Sequence, residues 1–343
     1  MKRMVWLIFL SLMLVILIGS AQKVNAKVFT WRMQNFCPPA SFEHKVILPK
    51  IIDEIKKKTG GRLDIKALPP GAVCPPPAMF ETVAKGGIEA ILFSGPFYSG
   101  ILPVSDVEWG LPFAWEDGYE CNWMLWNYGL IDKVYRKAYK EHNIHLLGVW
   151  AAVPFGLMTR FPVHSVDDLK GRKIRAVGVG RNILNALGAS TVVTPYAELY
   201  ITLERGIAEG TYSPYNALGE MKLREVAQYS SFPPWINPDT LNILVNLDEW
   251  NKLPADIQKG CEQALRDLLP WLWEVSKKNA HESLELAKRD YKHTIITLPP
   301  EEVAKLKELA LVEWKKIAQK DAYCKNAVEM IIEWNKVKGW LKD

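Results

Sequence analysis

The chain has 343 residues, 49% hydrophobic and 24% charged, with a formal net charge of +5 and a mean hydropathy of −0.05. Those proportions exclude a disordered, collagen-like or multi-spanning membrane chain, and the length suits two domains with ample core. Lys2, Arg3 and Lys23 carry the bases of the first 26 positions, which leaves 40 bases against 38 acids beyond them. So even a balance gives no reason to expect nucleic acid, whose binders show clustered basic faces.

At the N-terminus, Lys2 and Arg3 precede an apolar stretch, Met4 to Gly19, whose only polar side chain is Ser11. Val24 and Ala26 then stand at the −3 and −1 positions of a cleavage site. An uncleaved anchor would need roughly 20 apolar residues. Residues 1–26 are therefore expected to be a signal peptide, with the mature protein free in the periplasm. No Cys follows the apolar run, so no lipid anchor is indicated. Cys37, Cys74, Cys121, Cys261 and Cys324 make an odd number without a C-x-x-C pair. Cys37 and Cys74 each sit in a Pro-rich loop, and either a disulfide at one sheet edge or two separate thiols satisfies the pattern.

Val28 to Phe36 reads as a strand running into a Pro stop, and Ser41 to Lys58 as an amphipathic helix closed by Gly60-Gly61. Arg62 to Leu68 returns to strand, Ala78 to Lys85 is a short helix, and Ile88 to Phe93 is an apolar run of buried-strand type. This alternation predicts a parallel α/β sheet with right-handed crossovers. Residues 95–130 read as loops and short helices rich in aromatics, followed by a helix at 131–141 and a strand at 144–153. From Asp167 the rhythm restarts with strands at 173–177, 191–193 and 207–211 and helices at 179–187 and 196–205. A further strand is expected at 240–246, and a long helix from Pro254 to about His293 with a bend or break at Pro270. A short strand at 294–298 and helices at 301–319 and 322–338 close the chain. The predicted fold class is α/β with two lobes: 27–156 plus about 240–280, and about 157–239 plus about 281–343.

No P-loop, H-E-x-x-H, G-x-S-x-G or Gly-rich dinucleotide loop occurs. His142 and His145 lack the acidic or Cys partners of a metal set and read as surface or capping residues. The informative stretch runs from Asp168-Leu169-Lys170-Gly171-Arg172-Lys173-Ile174-Arg175 through Leu187-Gly188-Ala189 and Tyr196-Ala197-Glu198-Leu199-Tyr200 to Leu203-Glu204-Arg205-Gly206-Ile207-Ala208-Glu209-Gly210. In order and spacing it resembles the solute-binding proteins of tripartite ATP-independent periplasmic (TRAP) transporters, the DctP family. Trp31-Arg32-Met33-Gln34, Thr59-Gly60-Gly61-Arg62-Leu63 and Asn251-Lys252-Leu253-Pro254 extend the likeness over nearly all of the mature chain.

The resemblance implies a periplasmic-binding-protein fold, with a hinge, a long kinked connecting helix and a helical C-terminus, closing over a small organic acid. It implies no enzymatic activity and no cofactor, with a membrane permease as partner. In the family the Arg of the K-h-R motif (h, apolar), here Arg175, pairs with a ligand carboxylate. A planar guanidinium suits that role because two parallel hydrogen bonds fix orientation as well as charge. Arg160 falls where some relatives place a second cleft Arg, against the alternative of an exposed loop charge. Tyr98, Gln34 and Trp150 stand at strand exits or the hinge and are further ligand candidates, with a core role as the rival for Tyr98. Glu209-Gly210-Thr211-Tyr212-Ser213-Pro214 departs from relatives that carry a carboxylate there, so no metal is expected, and Tyr212 and Ser213 offer an aromatic face and hydroxyls. A monomer is favoured, a helix-swapped dimer through 322–338 being the alternative. A sensory binding protein, or an exported enzyme on the same lobes, is the rival function.

Overall fold

A computed structural model of the protein describes residues 27–341; the expected signal peptide lies outside the described residues. The strands are β1 (Phe29–Asn35), β2 (Leu63–Leu68), β3 (Ala90–Phe93), β4 (Ile144–Ala151), β5 (Phe155–Thr159), β6 (Lys173–Arg175), β7 (Ser190–Val192), β8 (Gly210–Pro214), β9 (Tyr229–Phe232), β10 (Thr240–Asn246) and β11 (Thr294–Thr297). They form two sheets, ordered β2-β1-β3-β10-β4 and β11-β9-β5-β8-β6-β7.

The first sheet begins as the apolar patterning predicts. β1 lies parallel to β2 and to β3, and the crossover helix Leu48–Lys58 buries Leu48, Ile51 and Ile55. The expectation of a parallel sheet then fails at β10, which enters between β3 and β4 and is antiparallel to both. In the second sheet β5 likewise runs antiparallel to β8 and β9. Both sheets are mixed because the chain passes from one lobe to the other and back: β5, on which it enters the second lobe, and β10, on which it returns to the first, each run against their neighbours.

Those passages form the hinge. β4 leads through Ala152–Pro154 into β5, and β9 leads back through 233–239 into β10. The two crossings pair with each other: Asp239 N–H donates to Val153 O (3.0 Å), Ala152 N–H to Asp239 O (2.8 Å) and Phe155 N–H to Ile236 O (2.8 Å). A third link is the helix Ala255–Tyr291, which continues through Pro270 rather than ending there. Its first half packs on the helix Leu48–Lys58 and its second on the short helix Ala217–Glu220 of the other lobe.

The C-terminus departs from the expected lobe boundary. β11 pairs with β9 in the second sheet, but the last helix, Ala322–Val337, lies on the first lobe, where Asn335 Nδ2–H donates to Ala114 O (3.1 Å). Cys324, Ala327, Val328 and Ile331 bury its apolar stripe there. All five cysteines are free thiols, so Cys37 and Cys74 are separate. Among the described residues no helix is long and apolar enough to cross a membrane.

Candidate binding site

Three strands end at one place. β1 runs out into Phe36 and Cys37, β3 into Ser94, Pro96 and Phe97, and β6 into Arg175 and Val177; all of these residues line a cavity of about 50 Å³ between the lobes. One water needs roughly 10–15 Å³ on the same measure, so the space suits a compact molecule. Its position is the one physics favours in α/β sheets, outside the carboxyl ends of parallel strands. Ala152, Val153, Phe155, Pro214, Asp239 and Leu241 add the hinge crossings, and Trp109, Tyr196 and Glu43 complete the wall.

Arg175 ends β6 with only 1% of its surface exposed. Its Nε–H and Nη2–H donate to Thr194 O at 3.1 and 2.8 Å, and Nη1 lies 3.5 Å from Ser213 Oγ. A guanidinium has five N–H donors, so these contacts leave one N–H on each terminal nitrogen. Among the described residues no carboxylate comes within ion-pair distance of it. Burial without a counter-charge draws its pKa down to about 10. Such a group remains a cation at neutral pH and is costly unless an anion joins it.

Ser213 stands behind Arg175 because β8 alternates. Thr211 and Ser213 share one face, their hydroxyls 2.6 Å apart. Tyr212 takes the other face, packed between Phe155 and Trp235 (ring centroids 4.9 and 5.3 Å). A Cβ on Gly180 would come within 2.2 Å of its ring. Tyr212 is thus a core aromatic, not a cavity wall.

The other sequence candidates also lie elsewhere, each for a visible reason. Arg160 is exposed at the end of β5, its Nη1–H donating to Leu203 O (3.2 Å). Tyr98 is sealed inside the first lobe, its hydroxyl 2.7 Å from that of Tyr139 and accepting from Asn242 Nδ2 (2.7 Å); Tyr139 in turn donates to Glu108 Oε2. Gln34 spends its amide on the Cys74 loop, donating to Cys74 O (2.8 Å) and accepting from Val73 N–H (2.7 Å). Trp150 is buried in β4 opposite Leu241. His142 and His145 are half-buried against Phe80 and Trp250 rather than free at the surface.

Sequence reading missed the acidic side of the cavity. Glu43 and Asp239 line it, and Glu220 stands directly behind Glu43 from the second lobe. Asn216 Nδ2–H donates to Glu43 Oε1 (3.2 Å), while Phe42 N–H (2.8 Å) and Tyr196 O–H (2.7 Å) donate to Glu220. Burial, with Glu220 beside it, holds Glu43 up at about 8, and burial raises Asp239 to about 7. Glu43 had a signal: it stands four residues before Ile47 in the register that continues to Ile51 and Ile55, all three buried. A carboxylate in line with a buried apolar stripe calls for a partner. Asp239 had none, because only the pairing of the two hinge crossings brings it to the cavity.

The lobes touch across this space. Phe42 and Glu43 of the first lobe meet Glu220 and Asn216 of the second, and Gly178, at φ +57°, opens its helix so close to Trp109 that a Cβ would stand 2.6 Å from the indole. Among the described residues no group of three or more His, Cys, Asp or Glu is placed to hold a metal.

The sequence profile of the bacterial extracellular solute-binding proteins, family 7 (DctP), matches residues 34–321. The monocarboxylate 2-oxoacid-binding periplasmic protein of Nostoc sp. is 28% identical over 67% of this chain, an alignment spanning 63% of that relative. The C4-dicarboxylate-binding periplasmic protein of Rhodobacter capsulatus is 26% identical over 68% of this chain and 70% of its own length. In structure, a TRAP periplasmic solute-binding protein of Desulfovibrio salexigens with bound orotic acid superposes with a TM-score of 0.80 at 22% identity, covering 89% of this chain and 98% of that one.

Proposed function

The chain belongs to the family 7 extracellular solute-binding proteins, the non-enzymatic receptors of TRAP transporters, and from that premise we propose that it captures a small organic acid between its lobes and presents the closed form to a membrane permease. The observation that carries this reading is Arg175: a buried guanidinium, without a counter-anion, whose two remaining N–H groups fit a carboxylate gripped through parallel bonds. The relatives named above bind 2-oxoacids, C4-dicarboxylates and orotic acid, all of them carboxylates.

The mechanism is selection of the closed state. A ligand shifts the lobes only by as much as it binds that state better. In the open form Arg175 is reached by water. In the closed form the ligand carboxylate replaces that water where the dielectric is low and the charged hydrogen bonds strengthen, at roughly 1.5–3 kcal/mol each. The paired crossings at Val153 and Asp239 carry the rotation, and the helix Ala255–Tyr291 holds one lobe at each end. Periplasmic location, matching the relatives, and cleavage after Ala26 complete the proposal.

The test is a thermal-shift screen of purified protein, freed of carried-over ligand, against a library of organic acids. Binding to the native state alone raises the midpoint by mass action. A clear shift with one carboxylate class supports the reading; no shift with any acid, on folded protein, overturns it.

A further inference from the structure

We propose that the ligand of this cavity carries a protonated nitrogen as well as a carboxylate, so that an amino-acid-like zwitterion fits it better than a simple acid or a dicarboxylate. The inference rests on the cavity being the ligand site, as proposed above, and goes beyond it by fixing the ligand's second charge. Its basis is the unequal distribution of buried charge. One cation, Arg175, faces the space from the second lobe, and two carboxyl groups, Glu43 and Asp239, face it from the first lobe and the hinge. Among the described residues no Lys, Arg or His lies within ion-pair distance of Glu43, Asp239 or Glu220.

The three carboxyl groups differ in what they have left to offer. Asp239 uses Oδ1 on Val153 N–H (2.9 Å) and Oδ2 on Trp109 Nε1–H (3.3 Å). Glu220 uses both oxygens, on Phe42 N–H and Tyr196 O–H. Glu43 accepts from the Asn216 side chain through Oε1 and from its own backbone N–H. Glu43 lines the cavity and a carboxylate has about four acceptor sites, so it is the contact offered to a ligand cation, with Asp239 and Glu220 as neighbouring acids whose ionised forms such a cation would also favour. Around Glu43 the other facing groups are Tyr196 and Cys37, both held in their neutral forms by burial, while Lys45 acts on Glu220 from beyond ion-pair distance.

A second carboxylate placed against Glu43 would hold that acid in its protonated form and gain only a hydrogen bond from it, leaving the ligand's second charge buried without a counter-ion. An ammonium there does the reverse. It offsets the acids while the ligand's carboxylate offsets Arg175, so one molecule satisfies both ends of a closed site. Glu43, raised to about 8 in the empty protein, would ionise as the cation arrives and release a proton.

The experiment is titration calorimetry at pH 7 with matched pairs: γ-aminobutyrate against butyrate, L-proline against cyclopentanecarboxylate, and L-glutamate against glutarate. In at least one pair the zwitterion should bind about tenfold or more tightly than its nitrogen-free partner. Repeating it in buffers of different ionisation enthalpy should show up to about one proton released per ligand. Glu43→Gln, close to the wild type in shape, should narrow that preference and abolish the proton release, whereas Arg175→Ala should weaken both members of the pair. Nitrogen-free acids binding as tightly as the zwitterions, or a preference unchanged in Glu43→Gln, would overturn the proposal and leave the carboxylate reading standing. Folded protein that binds neither series but shifts with a nitrogen-free acid in the screen also overturns the proposal, and only a screen without any shift contradicts the carboxylate reading as well.

Discussion

Arg175 and Glu43 show how differently two site residues announce themselves. Arg175 was legible because it stands in the K-h-R motif that carries the family resemblance, and its place toward the end of a second-lobe strand agrees with a group facing the cleft. Glu43 sits inside an amphipathic run, where a charge is ordinarily read as solvated; only its alignment with Ile47, Ile51 and Ile55 betrays it. Tyr98, Gln34 and Trp150 went the other way. Each stands near a strand exit, but a strand's alternate faces look alike in sequence, and in the fold these side chains serve the first lobe's own interior or pin the Cys74 loop. The residue-scale prediction concerns the shape of the charge at 175. Arg175→Lys keeps a cation but has no planar fork for two parallel bonds. Affinity for the carboxylate found by the screen should fall by about tenfold or more in calorimetry, in a variant whose circular dichroism matches the wild type. Unaltered affinity would mean that charge alone, without bidentate geometry, is what Arg175 supplies.

At the scale of elements, the long patterns were read correctly and the short ones drifted. The helix Ala255–Tyr291 and the strands β1 and β10 have enough apolar period to be read from sequence alone. β5 and β9 were not foreseen as strands, because five- and four-residue segments are defined by their partners in the second sheet, not by their own composition. The parallel expectation failed for a related reason: strand direction depends on which lobe the chain has come from. The element that matters most for closure is the turn at Val177-Gly178. Gly178 combines a left-handed φ with a close approach to Trp109 across the lobes. Gly178→Ala should hold the lobes apart and weaken ligand binding by about tenfold or more. Gly171→Ala is the control, since Gly171 has a φ of +72° but nothing within 4 Å of an added Cβ. It should carry a similar backbone cost of about 1–2 kcal/mol while leaving affinity intact. Equal losses of affinity in the two variants would show that backbone strain, not the lobe contact, is responsible.

For the whole molecule, the buried acids set the pH dependence of stability. Glu108, enclosed with Tyr139 and Asn242, is raised from the ordinary carboxyl range to about 7 by burial; Asp239 reaches about 7 and Glu43 about 8. A carboxyl group whose pKa is higher folded than unfolded binds more protons in the native state. Its contribution is present below about pH 4.5 and is lost as pH rises through its folded value. The melting temperature of the ligand-free protein should therefore decline between about pH 5 and 8 and level off above. Glu108 alone accounts for roughly 3 kcal/mol of that slope. Glu108→Gln should flatten it, and a profile unchanged in that variant would place Glu108 outside the titration. At this scale the two lobes and their connecting helix were visible in the order of elements, while the lobe carrying the last helix was not. Residues 322–337 follow second-lobe elements along the chain, and only tertiary packing places them on the first.

The most direct test of the account is titration calorimetry of the carboxylate identified by the screen on wild-type protein and on Arg175→Ala. Truncation leaves a ligand anion buried and unpaired, which costs about 2–5 kcal/mol. The account predicts a loss of affinity of roughly thirtyfold or more, in a variant whose circular dichroism matches the wild type. A loss smaller than about tenfold would contradict it, because Arg175, the one buried cation facing the cavity among the described residues, would then not be holding the ligand.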